Sequence, residues 1–277
     1  MCDHRSVVSA APKLEIASVQ ALDLSFRLRA EVALELLDLP PGSRVIDVGC
    51  GIGSFSALLA ARSLDVVGAD VSEKNVELVR RRYPQIEAVR ADAQALPFED
   101  GSFDGAVCME VLEHVEDDRE ALGELRRVLR DGAPLVVSVP NLAAPLPLLE
   151  RLPWRSIHEQ EGPEHHVRDG YFAAQLEQLL VGRGFEVESR TSVGGAPYRA
   201  AAGAVSLVHL LYRRLRAQQS WTWADVESDS DGLLMRTYRA LFPIFHVIAR
   251  IGAAQRGSKG ATLLLRARAT TFRDQSD

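Results

Sequence analysis

Residues 45–54 constrain this chain more than any other stretch of its length. The run Val45-Ile46-Asp47-Val48 reads as a short buried strand broken by one acid. Three glycines follow at alternate positions, Gly49, Gly51 and Gly53, before a helical pattern resumes at Phe55. Strand, tight turn, helix is the order this implies. Glycine turns the main chain sharply and lets a ligand lie against bare backbone, while the start of the following helix offers unpaired N–H groups and a positive dipole end. An ordinary glycine-rich loop would look similar, so the surrounding chemistry has to decide. The spacing is G-x-G-x-G, not the G-x-G-x-x-G of a dinucleotide turn. Ser54 and Phe55 stand where a phosphate-cradling NTPase loop wants Lys-Ser or Lys-Thr. Asp47, just ahead of the turn, would repel a diphosphate and attract a ligand carrying an ammonium group.

Strand and helix then alternate along the chain. Helical spacing of apolar residues over 15–38 stops at Pro40-Pro41-Gly42. After the glycine turn, residues 65–70 read as a second strand ending in Asp70, 23 residues beyond Asp47. A strand-helix-strand unit places an acid near a ribose diol at about that interval, roughly 20 residues on. Asp70 could instead cap the next helix, although Ser72 is the better cap for a run to Tyr83. Residues 86–90 suggest a third strand leading to Asp92, which either accepts from an amino group such as adenine's or caps its own loop. Further strands are expected at 103–109, 134–139, 185–190 and 261–267, with helices at 119–129 and 171–181. Repeated βα units of this kind make a parallel sheet covered by helices on both faces.

These residues resemble the class I S-adenosylmethionine-dependent methyltransferases, and within them the type 11 small-molecule branch. The resemblance rests on Val45 to Gly53, Ala69-Asp70, Ala91-Asp92-Ala93, Leu96-Pro97-Phe98, Phe103-Asp104, Met109-Glu110-Val111-Leu112-Glu113-His114 and Leu129-Arg130-Asp131-Gly132, in order over residues 40–141 and less sharply to 190. It implies a Rossmann-like, doubly wound α/β sheet of seven strands, the last antiparallel. It also implies S-adenosyl-L-methionine as cofactor. Asp47, Gly49, Cys50, Gly51 and Gly53 would surround the methionine moiety, Asp70 and Val71 the ribose end, Asp92 and Ala93 the adenine, and Met109 would line the pocket. The ammonium, diol and adenine amine of that cofactor suit the acids already singled out.

Methyl transfer to a hydroxyl also needs somewhere for the proton to go, and a positioned base is worth roughly 10²- to 10⁴-fold. Two places offer one. Glu110, Glu113 and His114 follow the fourth strand at the ligand end of the sheet, with Glu110 and His114 the candidates and a structural role for His114 equally in view. The loop containing His158, His165 and His166 follows the fifth strand and could close over the site. His165 or His166 is expected to contact the acceptor, unless the loop histidines merely cap the next helix. No helical i, i+4 histidine pair is present there, so no metal site is expected.

About seventy residues separate strands six and seven, far more than an ordinary connection. The chain therefore divides into an N-terminal helical segment at 1–39, a cofactor-binding α/β domain at 40–194, a helical cap at 195–258, and a final strand with tail at 259–277. From residue 204 onward eleven Lys or Arg face six Asp or Glu, against a net charge of −6 for the whole chain. A basic amphipathic cap could touch a membrane surface weakly, but a packed cap with solvated arginines is the simpler reading. Trp221 and Trp223 could anchor a lid or fill its core. An apolar cap suits a small, fairly hydrophobic acceptor, lipid-, quinone- or polyketide-like, methylated at oxygen before carbon or nitrogen.

Acidic composition gives no sign of nucleic acid as a partner. With no signal-peptide pattern and three scattered cysteines, Cys2, Cys50 and Cys108, the chain is expected to be cytoplasmic, with free thiols, as monomer or homodimer. Rival readings are a methyltransferase-like binding protein without turnover and a nicotinamide-dependent oxidoreductase.

Overall fold

A computed structural model describes residues 24–144, 167–195, 198, 242–244, 246–247 and 260–270. Helix α1 (Leu24–Leu37) leads into β1 (Arg44–Val48), α2 (Ser54–Ala60), β2 (Asp65–Asp70), α3 (Glu73–Arg82), β3 (Glu87–Arg90), β4 (Gly105–Met109), α4 (Asp118–Val128), β5 (Pro134–Pro140), α5 (Ala173–Val181), β6 (Phe185–Val193) and β7 (Thr262–Ala269). The strands form one sheet in the order β3-β2-β1-β4-β5-β7-β6. Pairings from β3 through β5 are parallel, and β7 runs antiparallel to both β5 and β6. This is the seven-stranded doubly wound sheet that the sequence implied.

Alternation along the strands explains why helices cover both faces. In β5, Leu135, Val137 and Val139 point into the core beneath α4 and α5, while Val136 joins the core beneath α1, α2 and α3. A strand buried on both sides needs apolar residues at every position, as Val45, Ile46 and Val48 of β1 show at 2% exposure or less. Each such side chain is worth about 1.5–3 kcal/mol on burial.

Local signals set the element ends. Ser72 Oγ accepts from Asn75 N–H at the start of α3, and Asp117 accepts from the N–H groups of Arg119 and Glu120 at the start of α4. The sequence spacing began α4 at 119 and β4 at 103. In the structure, Asp118 opens the helix, and Phe103 makes only an isolated bridge to Leu129 ahead of the strand. Strand order reverses between β1 and β4, which opens a crevice beyond the carboxyl ends of those two strands. That crevice is where the glycine turn lies.

The insertion meets this framework at Tyr198, which packs against the same core as α1, and around Phe242. Phe242 is 3% exposed within the core of α1, Arg27 stacks over its ring at 5.5 Å, and His246 Nε2 lies 3.1 Å from Glu31 Oε1. Most of the expected cap, including Trp221 and Trp223 and the basic stretch at 204–216, lies outside the described residues, as do His158, His165 and His166. Among the described residues no helix is long and apolar enough to cross a membrane.

Candidate active site

The turn after β1 is built from three glycines in left-handed backbone, Gly49 at φ 72°, Gly51 at 53° and Gly53 at 79°. The N–H groups of Gly49 and Cys50 both donate to Ala69 O, at 2.8 and 3.0 Å, which ties the turn to the end of β2. Space as well as backbone conformation demands glycine at the first position. A Cβ on Gly49 would lie 2.2 Å from Val111 Cγ2, so the turn after β4 is pressed directly onto the glycine turn. At Gly51 the opposite holds: nothing lies within 4 Å of its missing Cβ, and bare main chain faces open space. One glycine admits a neighbouring side chain and the other admits a ligand.

Asp70 holds this arrangement from β2. Only 8% exposed, it accepts from Gly51 N–H at 2.7 Å through Oδ2, and from Ser72 N–H at 2.9 Å and Asn75 Nδ2 at 3.2 Å through Oδ1. A carboxylate has about four acceptor sites, so capacity remains for a hydroxyl. Val71 beside it is 66% exposed, an apolar side chain next to the open turn. Asp92 is exposed and accepts from the backbone and side-chain nitrogens of Gln94 at 2.9 and 3.2 Å, while Ala93 is buried and Met109 half-buried. Ser72 rather than Asp70 caps α3, while Asp92 caps its own loop through Gln94, and both acids keep acceptor capacity to spare.

Asp47 sits differently. It lies beneath the turn at 1% exposure, accepting from Ser56 Oγ at 2.5 Å. Burial, reinforced by the charge of Asp70, pushes its carboxyl up to about 7 despite the Ser56 bond. Its charge reaches the pocket from below, as a field under the glycine backbone. Cys50 is buried, and burial with the two acids pushes its thiol far above the usual range, so it is chemically inert.

Beyond β4 the chain makes a second constrained turn. Glu110 adopts φ 57°, a left-handed conformation that costs a non-glycine residue about 1–2 kcal/mol. Its surroundings hold it there: its N–H donates to Ser138 O at 3.0 Å, Oε1 accepts from Ser138 Oγ at 2.9 Å, and Oε2 lies 3.6 Å from Arg29 of α1. Glu113 is 1% exposed, and its Oε2 has no hydrogen-bond partner among the described residues. Burial and the charge of Glu110 raise its carboxyl well above the ordinary range. His114 follows, half-buried, its N–H donating to Val111 O. Sequence reasoning found Glu110 and His114 but missed Arg29 and Ser138, which reach this turn from α1 and β5. No local pattern marks such partners.

The segment before α5 closes onto the same turn. The N–H groups of Val167 and Arg168 donate to Glu113 O at 2.9 and 3.2 Å. The Arg168 guanidinium donates to the carbonyls of Leu112 and Glu116 and lies 3.2 Å from the Tyr171 hydroxyl. Fully buried Tyr171 reaches Asp118 Oδ2 at 2.8 Å, where burial and that acid push its phenol up. Among the described residues no group of three or more His, Cys, Asp or Glu is arranged to hold a metal ion.

An open glycine backbone, an acid with spare acceptor sites at the tip of β2 and a further acid after β3, all at the switch point of a doubly wound sheet, define a nucleoside-binding α/β domain. The donor set fits S-adenosylmethionine: an open main-chain cradle at Gly51, oxygens at Asp70 for a diol, and two buried carboxyl groups, Asp47 and Glu113, whose ionised forms a cationic ligand would favour.

Comparison with known proteins narrows the class. Residues 46–137 match the family described as "Methyltransferase domain". A "Probable S-adenosylmethionine-dependent methyltransferase" of Mycolicibacterium smegmatis is 33% identical over 61% of this chain and 62% of its own length. "O-methyltransferase rstn1" of Aspergillus nomiae is 39% identical over 40% of this chain and 52% of its own, and a demethylmenaquinone methyltransferase of Renibacterium salmoninarum 36% identical over 46% and 54%. The chain thus spans about half to three-fifths of the length of these relatives. In fold it is similar to an S-adenosylmethionine-dependent methyltransferase from Mesorhizobium loti, with TM-score 0.55 and 20% identity over 88% of this chain and 99% of that one. Residues 46–137 thus match a methyltransferase domain, and the chain is similar to S-adenosylmethionine-dependent methyltransferases.

Proposed function

We propose that this protein is a cytoplasmic enzyme that methylates a small, fairly hydrophobic acceptor, at oxygen in preference to carbon or nitrogen. The observation that carries the reading is the contact between Val111 and Gly49, which stacks the acid-bearing turn after β4 on the open glycine turn after β1. Acceptor-side groups and cofactor-side groups then share one crevice. The names of two relatives, an O-methyltransferase and a demethylmenaquinone methyltransferase, support methylation at oxygen and a quinone-like acceptor respectively.

In this reading Asp70 takes the ribose hydroxyls, with Val71 against the nucleoside, and Asp92 and Ala93 meet the adenine edge. Gly49 to Gly53 present main chain to the amino-acid end, over the buried charge of Asp47. Met109 lines the floor. When bound, S-adenosylmethionine supplies an electrophilic methyl group on a sulfonium. The chain's part is to hold the acceptor in line, where alignment alone reaches effective molarities of about 10⁵ M or more, and to receive its proton. Glu110, His114 and the loop residues His165 and His166 are the candidate acceptors for that proton. Hydrogen bonds from Val167 and Arg168 to Glu113 O hold the end of the loop that carries His165 and His166 against this turn, which supports a role for those histidines.

The test is transfer of a labelled methyl group from S-adenosylmethionine to a panel of phenols, quinols and hydroxylated polyketides, followed by location of the label on the product. Label on oxygen that drops 10²-fold or more in the His165→Ala, His166→Ala double variant, with cofactor affinity unchanged, supports the reading. Label on carbon or nitrogen redirects it. No transfer to any acceptor by protein that binds the cofactor favours a binding protein without turnover.

A further inference from the structure

We propose that Glu113 distinguishes the charged methyl donor from its neutral product: buried beside Glu110 in the turn that rests on Gly49, it keeps a proton while no cation occupies the pocket and releases it when a sulfonium enters. The inference rests on reading the crevice as an S-adenosylmethionine site.

The geometry has three parts. First, Glu113 is 1% exposed and its Oε2 has no hydrogen-bond partner among the described residues. An ionised carboxylate in that position keeps one oxygen buried without a hydrogen bond, a cost that the neutral acid mostly avoids, even though the backbone N–H of Glu113 itself favours the charged form. Second, the charged and titratable groups around it do not relieve the problem. Glu110 from the same turn adds a like charge, and Cys108 of β4 and His114 flank it. Arg29 of α1 is committed to Glu110 and Ser25, and Arg168 to the carbonyls of Leu112 and Glu116, with Asp118 at 3.7 Å. Their attraction acts on Glu113 at longer range and is outweighed by burial and Glu110, so the carboxyl is held above its ordinary range. Third, Val111, between the two acids, occupies the space a Cβ of Gly49 would need. Strand pairing ends at Val48 and Cys108, so Gly49 and Met109 follow side by side and the turn that carries both acids abuts the cradle.

A positive charge within about 4–6 Å raises a carboxyl's ionisation constant by a factor of roughly 10 to 1000. The sulfonium supplies such a charge and the thioether of S-adenosylhomocysteine does not. The ammonium and carboxylate groups are common to both ligands and cancel. When the sulfonium enters, the O–H bond of Glu113 breaks, the proton passes to solvent, and the carboxylate remains opposite the cation. After transfer the sulfur is neutral and Glu113 takes up a proton again. The site thereby loses an attraction to the product that it had for the donor.

Calorimetric titration of the full chain near pH 7 with each ligand, in phosphate and in Tris, reads the protons exchanged from the buffer dependence of the heat. The expected result is release approaching about one proton with S-adenosylmethionine and almost none with S-adenosylhomocysteine. The affinity ratio of donor to product should rise with pH, by up to about 10-fold per unit. Glu113→Gln should erase the difference in proton count and flatten the ratio. Equal proton exchange with both ligands in the unaltered protein overturns the inference, and should the variant not fold, this buffer comparison decides alone. If folded protein binds neither ligand, the cofactor reading itself fails, a distinct outcome.

Discussion

The two halves of the crevice hold their acids by opposite means. On the cofactor half, Asp70 and Asp92 bond to main chain and side chains close by, Ser72 and Asn75 for one and Gln94 for the other, with only Gly51 reaching across. On the half proposed to face the acceptor, Glu110 is held by Ser138 28 residues on and by Arg29 of α1, and Glu113 O takes the N–H groups of Val167 and Arg168. The first half is written in short stretches of sequence and works as a preformed cradle. The second exists only once α1, β4, β5 and the start of α5 have assembled.

Gly49→Ala tests the contact that stacks one turn on the other, and the largest effect is expected there. A Cβ at φ 72° and 2.2 Å from Val111 Cγ2 should destabilise the fold by about 3 kcal/mol or more, read as a shift in denaturant midpoint. Adding Val111→Ala should recover part of the loss, leaving the backbone strain. If Gly49→Ala is as stable as the parent, the halves are not pressed together.

Asp47→Asn separates burial from function on the cofactor half. The folded pKa is raised to about 7 from 3.8, so the favourable contribution of Asp47 is full below pH 3.8 and lost as pH rises to about 7. Ligand-free protein should therefore lose on the order of 2–4 kcal/mol over that window, and the Asn variant should lack this component, a difference visible in melts from pH 4 to 8.

Smaller effects follow on the acceptor half. Tyr171→Phe removes the hydroxyl shared by Asp118 and Leu112 O and should cost about 1–2 kcal/mol, with faster proteolysis near residue 167 if that clamp secures the loop. Smallest of all, Ser72→Ala should cost only about 0.5–1 kcal/mol, because Asp70 still accepts from Ser72 N–H.

This division also explains what could be read in advance. Glycine spacing, the acids at strand ends and the alternation of strands and helices are period and turn signals; they located the first four strands and the cradle within residues 45–109, and the full seven-stranded sheet came from the family resemblance. Ser72 was recognisable as a cap for the same reason. The depth of Asp47 was not legible, since an acid in a strand can face either the turn above or the core below. Nothing in the sequence singles out Arg29 within residues 15–38 or Ser138 within residues 134–139. Only the packed sheet brings both to Glu110.

The central claim is that the open glycine main chain and Asp70 form a site for S-adenosylmethionine. Calorimetric titration of folded protein with S-adenosylhomocysteine, repeated on Asp70→Ala, tests it most directly. The account predicts saturable heat at one site per chain, weakened about 100-fold or more in the variant. Absence of heat, or equal affinity in both proteins, would contradict it.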